Sequence, residues 1–102
     1  MFKNTRLFEA IKVLATESGD VRARFCMAMN ILEVVRAQDF GERTDLFEKL
    51  ENLRTKTAYK GVQKIGSLHI DKFKNTATGR TNKVYRKYAD ELFSIWIELS
   101  NN

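Results

Sequence analysis

Proline is absent from the 102 residues, cysteine and histidine occur once each, and glycine is confined to Gly19, Gly41, Gly61, Gly66 and Gly79. Each scarcity excludes something. With no proline and glycines spaced like helix ends, few residues veto helix, and the fold class expected is all-α. Cys26, alone in the apolar run Phe25 to Met29, has no partner for an internal disulfide and is expected to pack as a small hydrophobe. One Cys and one His make no structural zinc site without several carboxylates, so no metal is expected. His69 is the only histidine, and no Ser or Cys motif points to it for nucleophilic or acid–base work. The arginine five to seven residues upstream of a histidine, used by several small helical ribonucleases, is missing: those positions hold Lys64, Gln63 and Val62. A Gly-rich phosphate loop is lacking too, since Thr78-Gly79-Arg80-Thr81 is too short and has no strand before it. The expectation is a non-enzymatic protein without a cofactor.

Long apolar runs are also missing. Phe25 to Met29 and Ile31 to Val35 are interrupted by Asn30 and Glu33, well short of the roughly 20 residues a membrane span needs. The opening Met1-Phe2-Lys3-Asn4-Thr5-Arg6 leads into helical alternation rather than a secretory h-region. No membrane association is expected, and a cytoplasmic location is.

What is present is ordinary globular material, with 43% apolar and 30% charged residues. Residues 1–102 are read as a single helical domain, because a chain of this length buries one core. The hydrophobic spacing predicts a bundle of four main helices at about 5–18, 20–38, 45–60 and 81–99. Leu7, Ile11 and Leu14 stripe the first, with Asn4 or Thr5 as its cap and Gly19 as its end. The second is apolar nearly all round except for a strip of Arg22, Cys26, Asn30, Glu33 and Ala37, which marks it as the centre of the bundle. In the third, Leu46, Leu50, Leu53 and Thr57 share a face, and Asp45 with Glu48 suggests a capping box. Residues 61–73 read as a short irregular or helical segment. Residues 74–80, without a large apolar side chain, read as an exposed loop. In the last helix Tyr85, Tyr88, Leu92 and Leu99 face the core while Arg80, Lys83, Arg86 and Lys87 are expected to project away from it.

The charge is unevenly placed. Residues 1–53 are net −1 and residues 88–102 net −3, whereas residues 54–87 carry ten basic side chains against Asp71 alone, net +9. The ten are Arg54, Lys56, Lys60, Lys64, Lys72, Lys74, Arg80, Lys83, Arg86 and Lys87. A one-signed block attracts polyanions, and each cation that neutralises a phosphate releases counterions. Nucleic acid, contacted along its phosphate backbone, or an acidic protein surface is therefore the expected partner. The plainer alternatives are a solvated face, or pairing with the acidic ends of the same fold or of a second copy. Of the aromatics in the block, Tyr59 and Phe73 are the ones free of the core stripe and available to stack on bases. No helix-turn-helix can be placed, which argues for backbone contact over sequence reading.

A second surface is suggested by the apolar excess of the last helix. Phe93, Trp96 and Ile97 widen its stripe beyond one face and call for cover by the first helix, by a second copy in a homodimer, or by a partner protein. An inhibitor, adaptor or small subunit using this surface is the alternative function.

Overall fold

Helical periodicity in the first third of the chain becomes two packed helices in the computed structural model, which describes residues 5–101. Helix α1 (Thr5–Thr16) buries Leu7, Ala10, Ile11 and Leu14 along one stripe. Asn4, one of its two candidate caps, lies outside the described residues. Gly19, at φ 109°, turns the chain as only glycine does readily, and Asp20 then caps α2 (Val21–Ile31) by accepting from the Ala23 amide at 2.9 Å. That backbone hydrogen bond holds the Asp20 carboxyl below its ordinary value.

Helix α2 is the centre of the bundle, touching α1 and two later helices, α4 (Lys72–Ala77) and α5 (Asn82–Ser100). Of its expected polar strip, Asn30 is exposed and Cys26 is buried. The helix stops at Ile31, seven residues before the expected end. Leu32–Val34 tightens into a 3-10 turn, Val35 and Arg36 become extended, and a second 3-10 turn follows at Ala37–Phe40. Leu32, Val35 and Phe40 are all buried across the break. Its freed carbonyls are satisfied from elsewhere: the Arg54 guanidinium donates to the Leu32 oxygen and, at 2.9 Å, to the Val35 oxygen. The Asp39 carboxylate accepts from the Arg36 amide at 2.8 Å and starts the next turn.

Helix α3 (Thr44–Ala58) buries Leu46, Leu50, Leu53 and Thr57. Asp45 lies inside its first turn rather than capping it, and pairs with Arg43 at 2.9 Å in place of the expected capping box. That ion pair holds Asp45 below and Arg43 above their ordinary pKa values.

Residues 61–73 depart most from expectation. They form an antiparallel hairpin, β1 (Gln63–Ile65) and β2 (Leu68–Ile70), with Ile65 opposite Leu68 and Lys64 opposite His69. The two-residue turn Gly66-Ser67, with Gly66 at φ 62° and no positive φ at Ser67, has the primed geometry that matches strand twist. The expected loop at 74–80 is also corrected. Helix α4 (Lys72–Ala77) occupies most of it, capped by Asp71, and buries Phe73, Thr76 and Ala77. Its inward face carries two small side chains, which is why it lacks an apolar stripe in the sequence. Phe73 is fully buried and so leaves the set of residues able to stack on bases.

Helix α5 (Asn82–Ser100), capped by Thr81, closes the bundle with Tyr85, Ala89, Leu92, Ile95 and Leu99. Phe25 meets Tyr85 edge-on at 5.5 Å and Tyr85 meets Tyr88 at 5.2 Å, joining α2 to α5 through aromatic contacts. The all-α expectation of four long helices holds, with one small hairpin added. Among the described residues no helix is long and apolar enough to cross a membrane.

Candidate nucleic-acid interface

The ten cations of the 54–87 block do not behave as one face. Four are tied into the fold. Arg54, with its side chain only 14% exposed, holds the carbonyls of the α2 break and pairs with Glu51. Lys72 pairs with Glu33 and sits 5.4 Å over the Phe73 ring, fixing α4 against the end of α2. Lys56 lies 3.7 Å from Glu91 and 5.8 Å over the Tyr88 ring, bridging α3 and α5. Arg80 donates to the hydroxyls of Tyr59 at 3.1 Å and Tyr88 at 3.2 Å. Burial works against its charge, but the oxygens of Tyr88 and Tyr59 outweigh this and raise its pKa further.

The remaining six, Lys60, Lys64, Lys74, Lys83, Arg86 and Lys87, are exposed and have no acidic partner among the described residues. Lys83, Arg86 and Lys87 are three and four residues apart in the first turns of α5 and so project together. Arg80, just before α5, reaches the end of α3 instead. Its side chain reaches Tyr59, which is exposed and adjoins Lys60, while its carbonyl accepts from Arg22 of α2 at 2.6 Å. Lys64 is exposed on β1. Lys74 stands apart, lining a cleft of about 520 Å³ between α2 and α4 that also holds Asp20, Asp71 and Cys26.

The root of the hairpin is anchored rather than loose. The Thr76 hydroxyl, itself buried, accepts from the Lys60 amide at 3.1 Å, and the Asn75 side-chain amide donates to the Gly61 carbonyl at 3.1 Å. Beyond that root every residue from Val62 to His69 is exposed. This projection was missed as a functional surface from sequence, although Gly66-Ser67 between two short β-compatible runs was the available signal.

The apolar surface of α5 is partly covered within the monomer. Phe93 and Trp96 pack against the core, and Phe8 of α1 lies 5.8 Å from Trp96. Ile97, at 55% exposed, and Phe8, at 54%, remain open to solvent. Among the described residues no group of three or more His, Cys, Asp or Glu is placed to hold a metal.

No family model, curated protein or solved structure matches the chain, so function is read from its own residues.

Proposed function

We propose that this chain is a non-enzymatic, cytoplasmic nucleic-acid-binding protein that contacts phosphate through Lys60, Lys64, Lys83, Arg86 and Lys87, with Lys74 on the flank. One observation carries the proposal: these cations are exposed without an acidic partner among the described residues, while Arg54, Lys56 and Lys72 of the same block are paired. An unpaired exposed cation gives the fold little, and surface ion pairs would contribute only about 0–1 kcal/mol had they formed. Unpaired surface cations do make a field that a polyanion would find. Fluorescence titration against duplex DNA, single-stranded DNA and RNA at about 50 mM salt tests the proposal, because phosphate contacts are strongest at low salt. Binding to any of them that weakens steeply with salt supports it. Absence of binding to all three overturns it.

A second reading is favoured by the open Phe8 and Ile97 beside Trp96: an interaction surface for a second copy or an acidic partner protein. Sedimentation at rising concentration separates the two, since this reading requires self-association or a protein ligand and the first requires neither.

A further inference from the structure

From Val62 to His69 the β1–β2 hairpin is exposed throughout, only Ile70 at its root being half-buried, yet it is held firmly at its base. Ile65 and Leu68, directly opposite in register, are 56% and 59% exposed. A two-stranded hairpin alone is marginal in water, and an apolar pair left open on it adds nothing to the core. The turn between them is Gly66-Ser67, so this pair is the outermost large feature of the arm. Strand alternation puts Lys64 and its cross-strand partner His69 on the opposite face.

Resting on the nucleic-acid reading above, we infer that this hairpin is an arm that enters the minor groove of duplex DNA, wedges Ile65 and Leu68 between base pairs, and bends the duplex. Charge selects a polyanion as the occupant. From Tyr59 to Ile70 the chain holds Lys60 and Lys64 and no acid, and the next residue, Asp71, is committed to capping α4. Side-chain type then selects duplex over single strand. Unpaired bases are held by aromatic stacking, and the pair at the tip of the arm is aliphatic, His69 being the one aromatic ring in residues 61–70 and lying on the other face, whereas Ile and Leu are the wedges with which minor-groove binders unstack a base step. Reach agrees. Four residues separate Gly61 from Ile65, about 13 Å at strand rise, against a groove about 7.5 Å deep. The tip therefore meets base edges while Lys60 stays at the level of the backbone. A two-stranded ribbon is wider than the groove's roughly 6 Å, so entry must widen it, and widening with unstacking kinks the duplex.

The test is energy transfer between dyes at the two ends of a duplex of about 30 base pairs, read with the full chain and with the double variant Ile65→Ala, Leu68→Ala. Both side chains are exposed, so the variant should keep the parent's melting temperature and helical signal. The expected result is a shortened end-to-end distance with the parent, no shortening with the double variant, and only about three- to tenfold weaker binding by the variant, since the phosphate contacts remain. Binding without bending, or bending that survives the double substitution, overturns the arm while leaving phosphate contact intact. Tighter binding to single strands than to duplex, lost in the double variant, likewise overturns the wedge. A dimer formed without DNA and abolished by the double substitution overturns it in favour of a second copy. Absence of all DNA and RNA binding overturns the underlying reading, and this one with it.

Discussion

Arg54 donates to the Val35 carbonyl across nineteen residues of sequence, tying α3 to the extended residues beyond the end of the central helix. The same guanidinium reaches the Leu32 carbonyl and the Glu51 carboxylate. Truncation at Arg54→Ala removes a charged donor from two carbonyls, leaving Leu32 only its bond from the Val35 amide and Val35 only that from the Arg36 guanidinium, and is expected to lower stability by about 1.5–3 kcal/mol. Arg54→Lys should recover little of that, because an ammonium lacks the planar fork that serves several oxygens at once. Urea denaturation of the three proteins measures it. A loss below about 0.5 kcal/mol for the alanine variant would mean the break is held by packing alone.

Burial of two acids predicts an alkaline limb of instability. The Cys26 thiol is pushed up from 9.0 to about 11, chiefly by burial, and the Tyr85 hydroxyl from 10.0 to about 12 for the same reason. Both are neutral in the fold and ionise more readily once unfolded. The unfolded chain therefore binds fewer protons above these ordinary values, and stability falls as pH rises from about 9 through 12. Each group should contribute on the order of 2 kcal/mol to that fall. Cys26→Ala and Tyr85→Phe should each flatten the limb in urea midpoints recorded from about pH 7 to 12. The Tyr85 hydroxyl is also buried without a hydrogen-bond partner among the described residues, so Tyr85→Phe should be neutral or stabilising by up to about 1 kcal/mol at pH 7.

Thr76 carries the hairpin's attachment. Its hydroxyl accepts from the Lys60 amide inside the fold, and valine would keep its shape while removing the acceptor. Thr76→Val is expected to cost about 1–3 kcal/mol locally. Amide exchange in residues 62–70 should accelerate by at least tenfold while the α2 and α5 cores keep their protection, as befits a unit that opens by itself. Equal acceleration in all elements would show that the hairpin is not a separate unit.

Much of the scaffold was legible because it depends on local periodicity. Leu7, Ile11 and Leu14, or Tyr85, Leu92 and Leu99, name their helices without help from the rest of the chain. The failures all involve distant partners or small side chains. Val34 and Val35 continue the apolar pattern of α2, and nothing near them announces that Arg54 will take over their turn's carbonyls. Val62, Ile65 and Phe73 fit helical spacing as well as they fit a hairpin, and only the Gly66-Ser67 turn tips the balance. Helix α4 hides because its inward residues beyond Phe73 are Thr76 and Ala77. At the candidate site the net charge could be counted in advance, but its division could not. Lys72 finds Glu33 and Lys56 finds Glu91 only through packing of helices far apart in sequence.

That division yields the sharpest test of function. Lys83→Ala with Lys87→Ala removes two exposed cations that have no acidic partner among the described residues, whereas Lys72→Ala removes one already paired with Glu33. If phosphate contact is the function, the first variant should weaken nucleic-acid binding about equally for every sequence and reduce the salt slope by about 2, at roughly 0.9 per lost contact. Its stability should change by no more than about 0.5 kcal/mol, as for most surface substitutions. Lys72→Ala should leave the slope unchanged and act, if at all, on stability. Titrations at about 50, 100 and 200 mM salt with all three proteins separate these outcomes. Equal slopes throughout would mean that Lys83 and Lys87 touch no phosphate and serve as solvated surface charge.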